Sequence, residues 1–323
     1  MSDSPLLLLT APNDNEIPFL ADLRQVATIV VGDSAQDFAK AAVESEIILS
    51  WSGSRALLRE VFLMSRCVRW IHSRSAGLEQ TLFPELIESE VILTNGSGVF
   101  SPSLGEFVLA AILYFAKDFR RMITNQVAEV WEQFNVAMVS GQTVGIVGYG
   151  SIGRAVAARA RALGMNVFAL RRRTSQNTTE DPLIDLEYGP EQRREMLSQC
   201  DFIVVTLPLT EKTRGFIGDA EFAVMKKSAV IINVGRGPTI DEHAMIRALS
   251  ENRIRGAALD VFDQEPLPQG HPFYSLQNVL LSPHCADHTP DWTHNAMRFF
   301  LAQLQRFNRK ETLFNIVDKR LGY

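Results

Sequence analysis

Cysteine is scarce in this chain: Cys67, Cys200 and Cys285 are scattered through 323 residues. Their spacing matches neither a disulfide framework nor a zinc ligand set. No metal site is expected, and a reduced, cytoplasmic protein is. Excess positive charge is missing too. Against 37 Asp and Glu stand 32 Lys and Arg, a formal net charge of −5 without a basic tail. Bulk electrostatics therefore disfavours a nucleic-acid partner. Long apolar runs are absent: the longest stretch, around Phe107 to Ala116, is too short to span a bilayer, so no membrane partner is expected. The opening MSDSPLLLLT has an acidic start and a short apolar run, and reads as a first strand rather than a signal peptide. There is no internal repeat and no low-complexity segment.

Apolar residues make up 46% of the chain, enough for sizeable cores, and its length suggests two domains. Up to about residue 98 strands and helices alternate. Strands are expected at Leu6–Leu9, Ala27–Val31, Glu46–Trp51, Val68–His72 and Val91–Thr94, and helices lie between, as at Ala35–Val43 and Arg55–Met64. Alternation of this kind implies an α/β unit with a parallel sheet covered on both faces. Next comes SPSLGEFVLAAILYFAKDFRRM, where Ser101 and Pro102 read as N-cap and first helical residue, and Ser103-x-x-Glu106 as a capping box. Its broad apolar face, Leu104, Val108, Ala111, Ile112 and Phe115, suits either a core or a subunit interface. Further strands are expected at Phe202–Thr206, Ala229–Asn233, Ala257–Asp260 and Val279–Leu281. Asp219 and Asp241 mark helix starts, and Thr289-Pro290-Asp291 opens a final helix.

The rest is organised around Thr143 to Leu170, TVGIVGYGSIGRAVAARARALGMNVFAL. Val144, Ile146 and Val147 read as a buried parallel strand. Gly148, Gly150 and Gly153 follow in GxGxxG spacing, and Ser151 and Ile152 open an alanine-rich helix. A second strand runs from Val167 to Leu170. This strand–turn–helix–strand unit suits a dinucleotide. Gly148 permits the tight turn, Gly150 lets backbone approach a pyrophosphate, and Gly153 lets the helix pack on the strand. The pyrophosphate then rests on the positive end of the helix. An NAD site places an acid at the end of the second strand, for the ribose 2′-hydroxyl. Here Arg171, Arg172 and Arg173 stand there instead, and Glu180 and Asp181 look too distant. Guanidinium forks match a 2′-phosphate, so NADPH preference is expected, with NAD use as the alternative.

Three further residues follow strand ends: Arg236 in INVGRG, Glu265 in LDVFDQEPLP and His284 in LLSPHCAD. Ligands in open α/β sheets bind outside the carboxyl ends of strands, which is where these residues fall. Taken singly, each has an ordinary structural explanation. Together, behind the glycine fingerprint, they resemble the D-isomer-specific 2-hydroxyacid dehydrogenases. The resemblance covers nearly the whole chain: SAGLE (75–79), SPSLGEF (101–107), GQTVGIVGYGSIGRAVA (141–157), TLPLTEKTRG (206–215), INVGRGPTIDEHAM (232–245), GAALDVFDQEPLP (256–268) and NVLLSPHCAD (278–287).

The resemblance implies two Rossmann-like, flavodoxin-like parallel-sheet domains with an active-site cleft between them. Residues 1–100 plus 290–323 would form a discontinuous substrate domain, and residues 101–289 the dinucleotide-binding domain. Arg236, Glu265 and His284 would be catalytic. Besides the fingerprint, Arg171 and Arg172, the cofactor would meet Leu207, Pro208, Thr213, Val234, Gly235, Asp260 and Ala286. The substrate carboxylate would meet Ser75, Ala76 and Gly77 as well as Arg236 and His284. The side-chain end of the substrate falls to loops around Trp51-Ser52 and Arg74, and to residues near Trp292. Trp51 is then either an apolar wall or a core residue, and Arg74 either an anion-favouring group or a surface charge. The helix after Ser101 looks like the family's dimer element, and Trp131 would approach the neighbouring subunit of a homodimer.

The implied activity is that of a glyoxylate- or hydroxypyruvate-type reductase, with an NADH-dependent D-lactate-type enzyme as the alternative. Formate dehydrogenase is disfavoured because its pattern has glutamine at Glu265, and phosphoglycerate dehydrogenase with a regulatory tail because little chain follows the final helix. From another class, a dinucleotide-sensing co-repressor would keep the same fold and triad.

Overall fold

The computed structural model describes residues 4–12, 14, 17–172 and 181–323. The chain divides into two compact units, Met1–Phe100 with Thr289–Tyr323, and Ser101–His288.

In the first unit, Leu6–Leu9 (β1), Ile29–Gly32 (β2), Ile47–Ser50 (β3), Trp70–Ser73 (β4) and Ile92–Asn95 (β5) form a wholly parallel sheet in the order β2-β1-β3-β4-β5. Successive strand residues point to opposite faces, and both faces are buried, which explains the unbroken apolar run of β1. Leu7 and Leu9 join Ile48, Ile71 and Leu93 under the helices Ala35–Phe38, Arg55–Met64 and Pro84–Ile87. Leu6 and Leu8 join Leu49 and Trp70 under the final helix, Trp292–Asn308, through Met297, Phe300 and Leu304. Trp70 stacks on Phe300 and Phe307, with centroids 5.5 and 5.2 Å away, and donates Nε1–H to Thr94 Oγ1 at 2.8 Å. The last helix thus completes the first core across a long stretch of sequence. The chain end is fastened there as well: Asn315 Nδ2 donates to the Ser97 carbonyl at 2.6 Å, and Lys319 Nζ to the Val91 carbonyl at 2.8 Å.

The second unit is a seven-stranded parallel sheet. Its strands are Thr143–Val147 (β6), Asn166–Leu170 (β7), Leu186–Tyr188 (β8), Phe202–Val205 (β9), Val230–Asn233 (β10), Gly256–Leu259 (β11) and Val279–Leu281 (β12). They run in the order β12-β11-β10-β9-β6-β7-β8. Successive strands step outward on one side of β6 and then on the other, so the winding reverses between β6 and β9. Loops leaving the two strands at that switch point splay apart and open a crevice for a ligand.

Several local expectations change. The three-residue strand β8 was not anticipated. The helix at Ser101 spans Ser101–Ala116 and takes in Ser101 itself. No capping box forms there: Ser103 Oγ donates to the Ala286 carbonyl at 2.6 Å, and Glu106 pairs with Arg159. Asp219 is the first helical residue after an N-cap at Gly218, whereas Asp241 caps as expected, accepting from the Ala244 amide at 2.9 Å. Among the described residues no helix is long and apolar enough to cross a membrane, and no group of three or more His, Cys, Asp or Glu is placed to hold a metal.

Candidate active site

The glycine loop leaves β6 at the switch point. Gly148 has φ +100, a conformation that a side chain would strain, and a Cβ there would lie 3.1 Å from the Leu207 amide nitrogen. At Gly150, the N-cap of the helix Ser151–Ala162, a Cβ would meet nothing within 4 Å. At Gly153 it would fall 2.9 Å from the Gly148 carbonyl oxygen and 3.0 Å from Ile146 Cγ2. One glycine therefore makes the turn, one leaves open room before a helix N-terminus, and one closes helix on strand. Ser151 and Ile152 stand in the first turn of that helix. This cradle fits a dinucleotide pyrophosphate.

Across the crevice, Thr206 Oγ1 donates to the Gly148 carbonyl and ties the two loops together. Leu207 and Pro208 follow. Thr213 Oγ1 spends its proton on the Pro208 carbonyl at 2.6 Å and accepts from the Thr210 amide at 2.8 Å, which rigidifies that loop. Val234 is 3% exposed, and a Cβ on Gly235 would sit 2.8 Å from the Leu207 carbonyl oxygen.

Beyond β7, Arg171 is half-buried and its guanidinium is already engaged. It bonds Glu187 of β8, and its charge sits 6.0 Å from the Tyr149 ring centroid. The Glu187 hydrogen bond raises the Arg171 pKa further, and its Nε is buried without a partner. Arg172 is exposed. Arg173 and Glu180 lie outside the described residues. Asp181, expected to be too distant, reaches the glycine loop: its Oδ2 accepts from Tyr149 Oη at 3.1 Å and also pairs with Arg154. Burial first, and then the Asp181 charge, push the Tyr149 phenol up to about 12. Sequence reading set Asp181 aside as too distant and missed Glu187, because separation along the chain does not show which acids come to lie against the glycine loop and the end of β7.

The three catalytic candidates lie on loops after β10, β11 and β12. Arg236 follows β10 in a turn pinned by its own carbonyl, which accepts from Asn233 Nδ2 at 3.1 Å and Thr239 Oγ1 at 2.6 Å. A Cβ on Gly237 would fall 2.1 Å from the Phe262 carbonyl carbon, so only glycine lets this turn pack on the loop that carries Glu265. Glu265 is fixed by its Oε1, which accepts from the Phe262 amide at 2.9 Å. Its Oε2 lies 2.6 Å from His284 Nδ1. The two side chains remain 35% and 44% exposed, so this pair is open to a ligand.

His284 has φ +51, in a region that side chains rarely adopt. Asp260 holds it there. Asp260 is 1% exposed, and its Oδ1 accepts from Ser282 Oγ, from the Cys285 amide at 3.0 Å and from the Ala286 amide at 3.1 Å. Burial raises the Asp260 pKa while these bonds oppose the rise. Asp260 was expected beside the cofactor. Its carboxylate is seen organising the loop on both sides of His284, a role that a buried acid at a strand end could have signalled.

Ser75, Ala76 and Gly77 belong to the first unit, in the turn after β4. There the Ala76 carbonyl accepts from Asn95 Nδ2 at 2.7 Å, and the Ser75 carbonyl from the Gly96 amide at 3.2 Å. Trp51, Arg74 and Trp292 gather in the same unit. The Arg74 guanidinium carbon lies 4.8 Å from each indole centroid. Trp51 is thus both a core residue, 2% exposed, and a stacking partner, and Arg74 is not a bare surface charge.

Residues 109–286 match the family model described as D-isomer specific 2-hydroxyacid dehydrogenase, NAD binding domain. A D-3-phosphoglycerate dehydrogenase of Methanocaldococcus jannaschii is 29% identical over 97% of this chain, and the match spans 59% of that relative's length. A glyoxylate reductase of Korarchaeum cryptofilum is 31% identical over 81% of this chain and 80% of its own. A crystal structure of a D-isomer specific 2-hydroxyacid dehydrogenase from Xanthobacter autotrophicus, in complex with NADPH and MES, superposes with a TM-score of 0.83. It is 26% identical and covers 99% of this chain and all of that one.

Proposed function

Since the chain belongs to the D-isomer-specific 2-hydroxyacid dehydrogenase family, we propose that it is an NADPH-preferring reductase of small 2-keto acids, of the glyoxylate or hydroxypyruvate type. The observation that carries this reading is the Glu265–His284 pair at 2.6 Å, on loops that follow neighbouring strands of the dinucleotide unit. A bound nicotinamide dinucleotide supplies the hydride.

The residues supply the rest. With a carboxylate on Nδ1, the His284 ring is held as a donor there, and Nε2 is left to deliver a proton to the substrate carbonyl oxygen as negative charge develops on it. Glu265 fixes the orientation and tautomer of the ring. Arg236 offers a planar, permanently charged fork to the substrate carboxylate and the polarised carbonyl. The amides of the Ser75-Ala76-Gly77 turn are the proposed second holder of that carboxylate.

The NADPH preference rests on Arg171 and Arg172 after β7. It is supported by the NADPH bound to the Xanthobacter relative. A second reading, use of NADH, is favoured by Asp181 against the glycine loop and by Glu187 on Arg171. A homodimer built on the helix after Ser101 is part of the proposal.

The test is oxidation of NADPH and of NADH, followed by nicotinamide absorbance, against glyoxylate, hydroxypyruvate and pyruvate. Turnover of the smallest acids with NADPH ahead of NADH is expected. Turnover with NADH alone overturns the cofactor assignment, and silence with every acid overturns the reductase reading.

A further inference from the structure

One cluster in the first unit takes no part in the chemistry above. Arg74 is the residue after β4 and immediately precedes the Ser75-Ala76-Gly77 turn. Its guanidinium carbon lies over the ring of Trp51, which follows β3, and over that of Trp292, which opens the final helix, at 4.8 Å from each centroid. Cation–π contact uses none of the guanidinium N–H donors, which hydrogen-bond in the plane of the group. No acid among the described residues forms an ion pair with it. The nearby acid, Asp14, acts on it only through space, and its own Oδ2 accepts from Ser52 Oγ. Burial draws the Arg74 pKa below its ordinary value, yet an arginine stays cationic at neutral pH.

Two buried donors in this cluster have no partner: Arg74 Nε and Trp51 Nε1. Buried donors are nearly always paired, and leaving one unpaired costs about 1–3 kcal/mol. A packing strut would explain the stack. It would not explain two unsatisfied donors gathered around a desolvated, unpaired cation. What complements them is an anionic acceptor with coplanar oxygens, which describes a carboxylate.

We propose that Arg74, with Trp51, forms a subsite for a second carboxylate, so that the favoured substrates are 2-keto dicarboxylic acids. The inference rests on the reductase reading above. There the Ser75-Ala76-Gly77 turn takes the carboxylate beside the keto group, and Arg74, next in the chain, takes the distal one. Glyoxylate has no side chain, so it leaves the subsite empty and serves as a reference for the reaction itself.

The experiment is a comparison of kcat/KM for pairs matched in chain length, 2-oxoglutarate with 2-oxopentanoate and oxaloacetate with 2-oxobutyrate, under saturating NADPH. The dicarboxylate is expected to lead by about ten-fold or more in at least one pair, with an advantage that shrinks as salt is raised. Arg74→Met should lower the dicarboxylate-to-neutral ratio by about 100-fold. Arg74→Lys, which keeps the charge and loses the fork, should lower it by less, and covers the case in which the Met variant does not fold. If glyoxylate is reduced while the neutral acid equals or beats its partner in both pairs, the subsite is overturned and the reductase reading stands. Equal losses for both members of a pair in the variants also overturn it, since that is what a structural strut would give. If no acid of the panel is reduced, the reductase reading falls and the subsite with it.

Discussion

At the scale of single residues, the decisive geometry is a histidine held in an unfavourable backbone conformation by bonds on either side of it. A φ of +51 at His284 is sustained by the Asp260 contacts to residues 282, 285 and 286, and the ring is aimed by Glu265. In the proposed role of general acid, an imidazole contributes typically about 10²–10⁴-fold. We therefore expect His284→Ala to lose turnover by about 10³-fold while binding NADPH normally, as read from nicotinamide fluorescence. Retained turnover would remove His284 from the proton-donor role. The arginines after β7 carry a separate prediction. Arg171 faces a carboxylate already, so its fork is pre-aligned by Glu187 and its unpaired Nε is an unmet donor. Arg171→Asp should raise KM for NADPH by about ten-fold or more, the effect of one lost charge-assisted bond. KM for NADH should rise much less, and an equal rise for both cofactors would refute a 2′-phosphate role.

At the scale of elements, catalytic placement depends on how loops pack rather than on the strands that launch them. Asp260 directly follows β11 and gathers three donors from the segment after β12, so it works as a clamp between neighbouring loops. Asp260→Ala leaves those donors unpaired. Some reach water after rearrangement, so a loss of about 3 kcal/mol is the expected order of magnitude. The measurement is a denaturant melt with kcat beside it. The loss of kcat should exceed what the melt explains, because His284 leaves its imposed conformation. A variant with full kcat would show that the loop holds without its clamp.

The same contrast explains what the sequence revealed. Eleven of the twelve strands among the described residues were legible, because buried parallel strands are short β-branched runs between turn residues, as at β6 and β9. β8 was not: Leu-Glu-Tyr, interrupted by a glutamate, carries no apolar run and lies at the sheet edge beside β7. The glycine loop was legible since each glycine answers a separate steric demand. The capping box at Ser103 was misread because a serine hydroxyl takes whichever acceptor the tertiary structure offers, here the Ala286 carbonyl. Asp181 was set aside as too distant, and Glu187 went unnoticed, for a similar reason. Chain distance says little about an acid that folds back onto the turn, and the clamp of Asp260 is equally invisible until β11 and β12 are adjacent.

At the scale of the whole molecule, the least settled surface lies after the helix Ser101–Ala116. The helix Phe119–Val127 buries none of its residues, and the chain beyond it runs without regular structure to residue 139. Along this stretch Val127 is 81% exposed, Trp131 96% and Met138 73%. A tryptophan left in water forgoes most of the burial of a side chain that covers 150–250 Å², roughly, in a core or interface. Scattered apolar residues on a surface are ordinary, whereas several large ones on one arm mark an interaction site. A second copy of the chain is the partner proposed for it. Sedimentation velocity at micromolar protein should then give a dimer for the native chain. Trp131→Glu, which places a charge where an indole would be buried, should shift the population towards monomer as the protein is diluted. Its thermal melt at high concentration should stay close to that of the native chain, since Trp131 contributes nothing to the core of its own subunit. A native chain that sediments as a monomer throughout would leave the arm without its proposed partner. A Trp131→Glu dimer as tight as the native one would instead move the interface away from Trp131, to other exposed apolar residues of this stretch such as Val127 and Met138, because Leu104, Val108 and Ile112 of the helix Ser101–Ala116 are already buried.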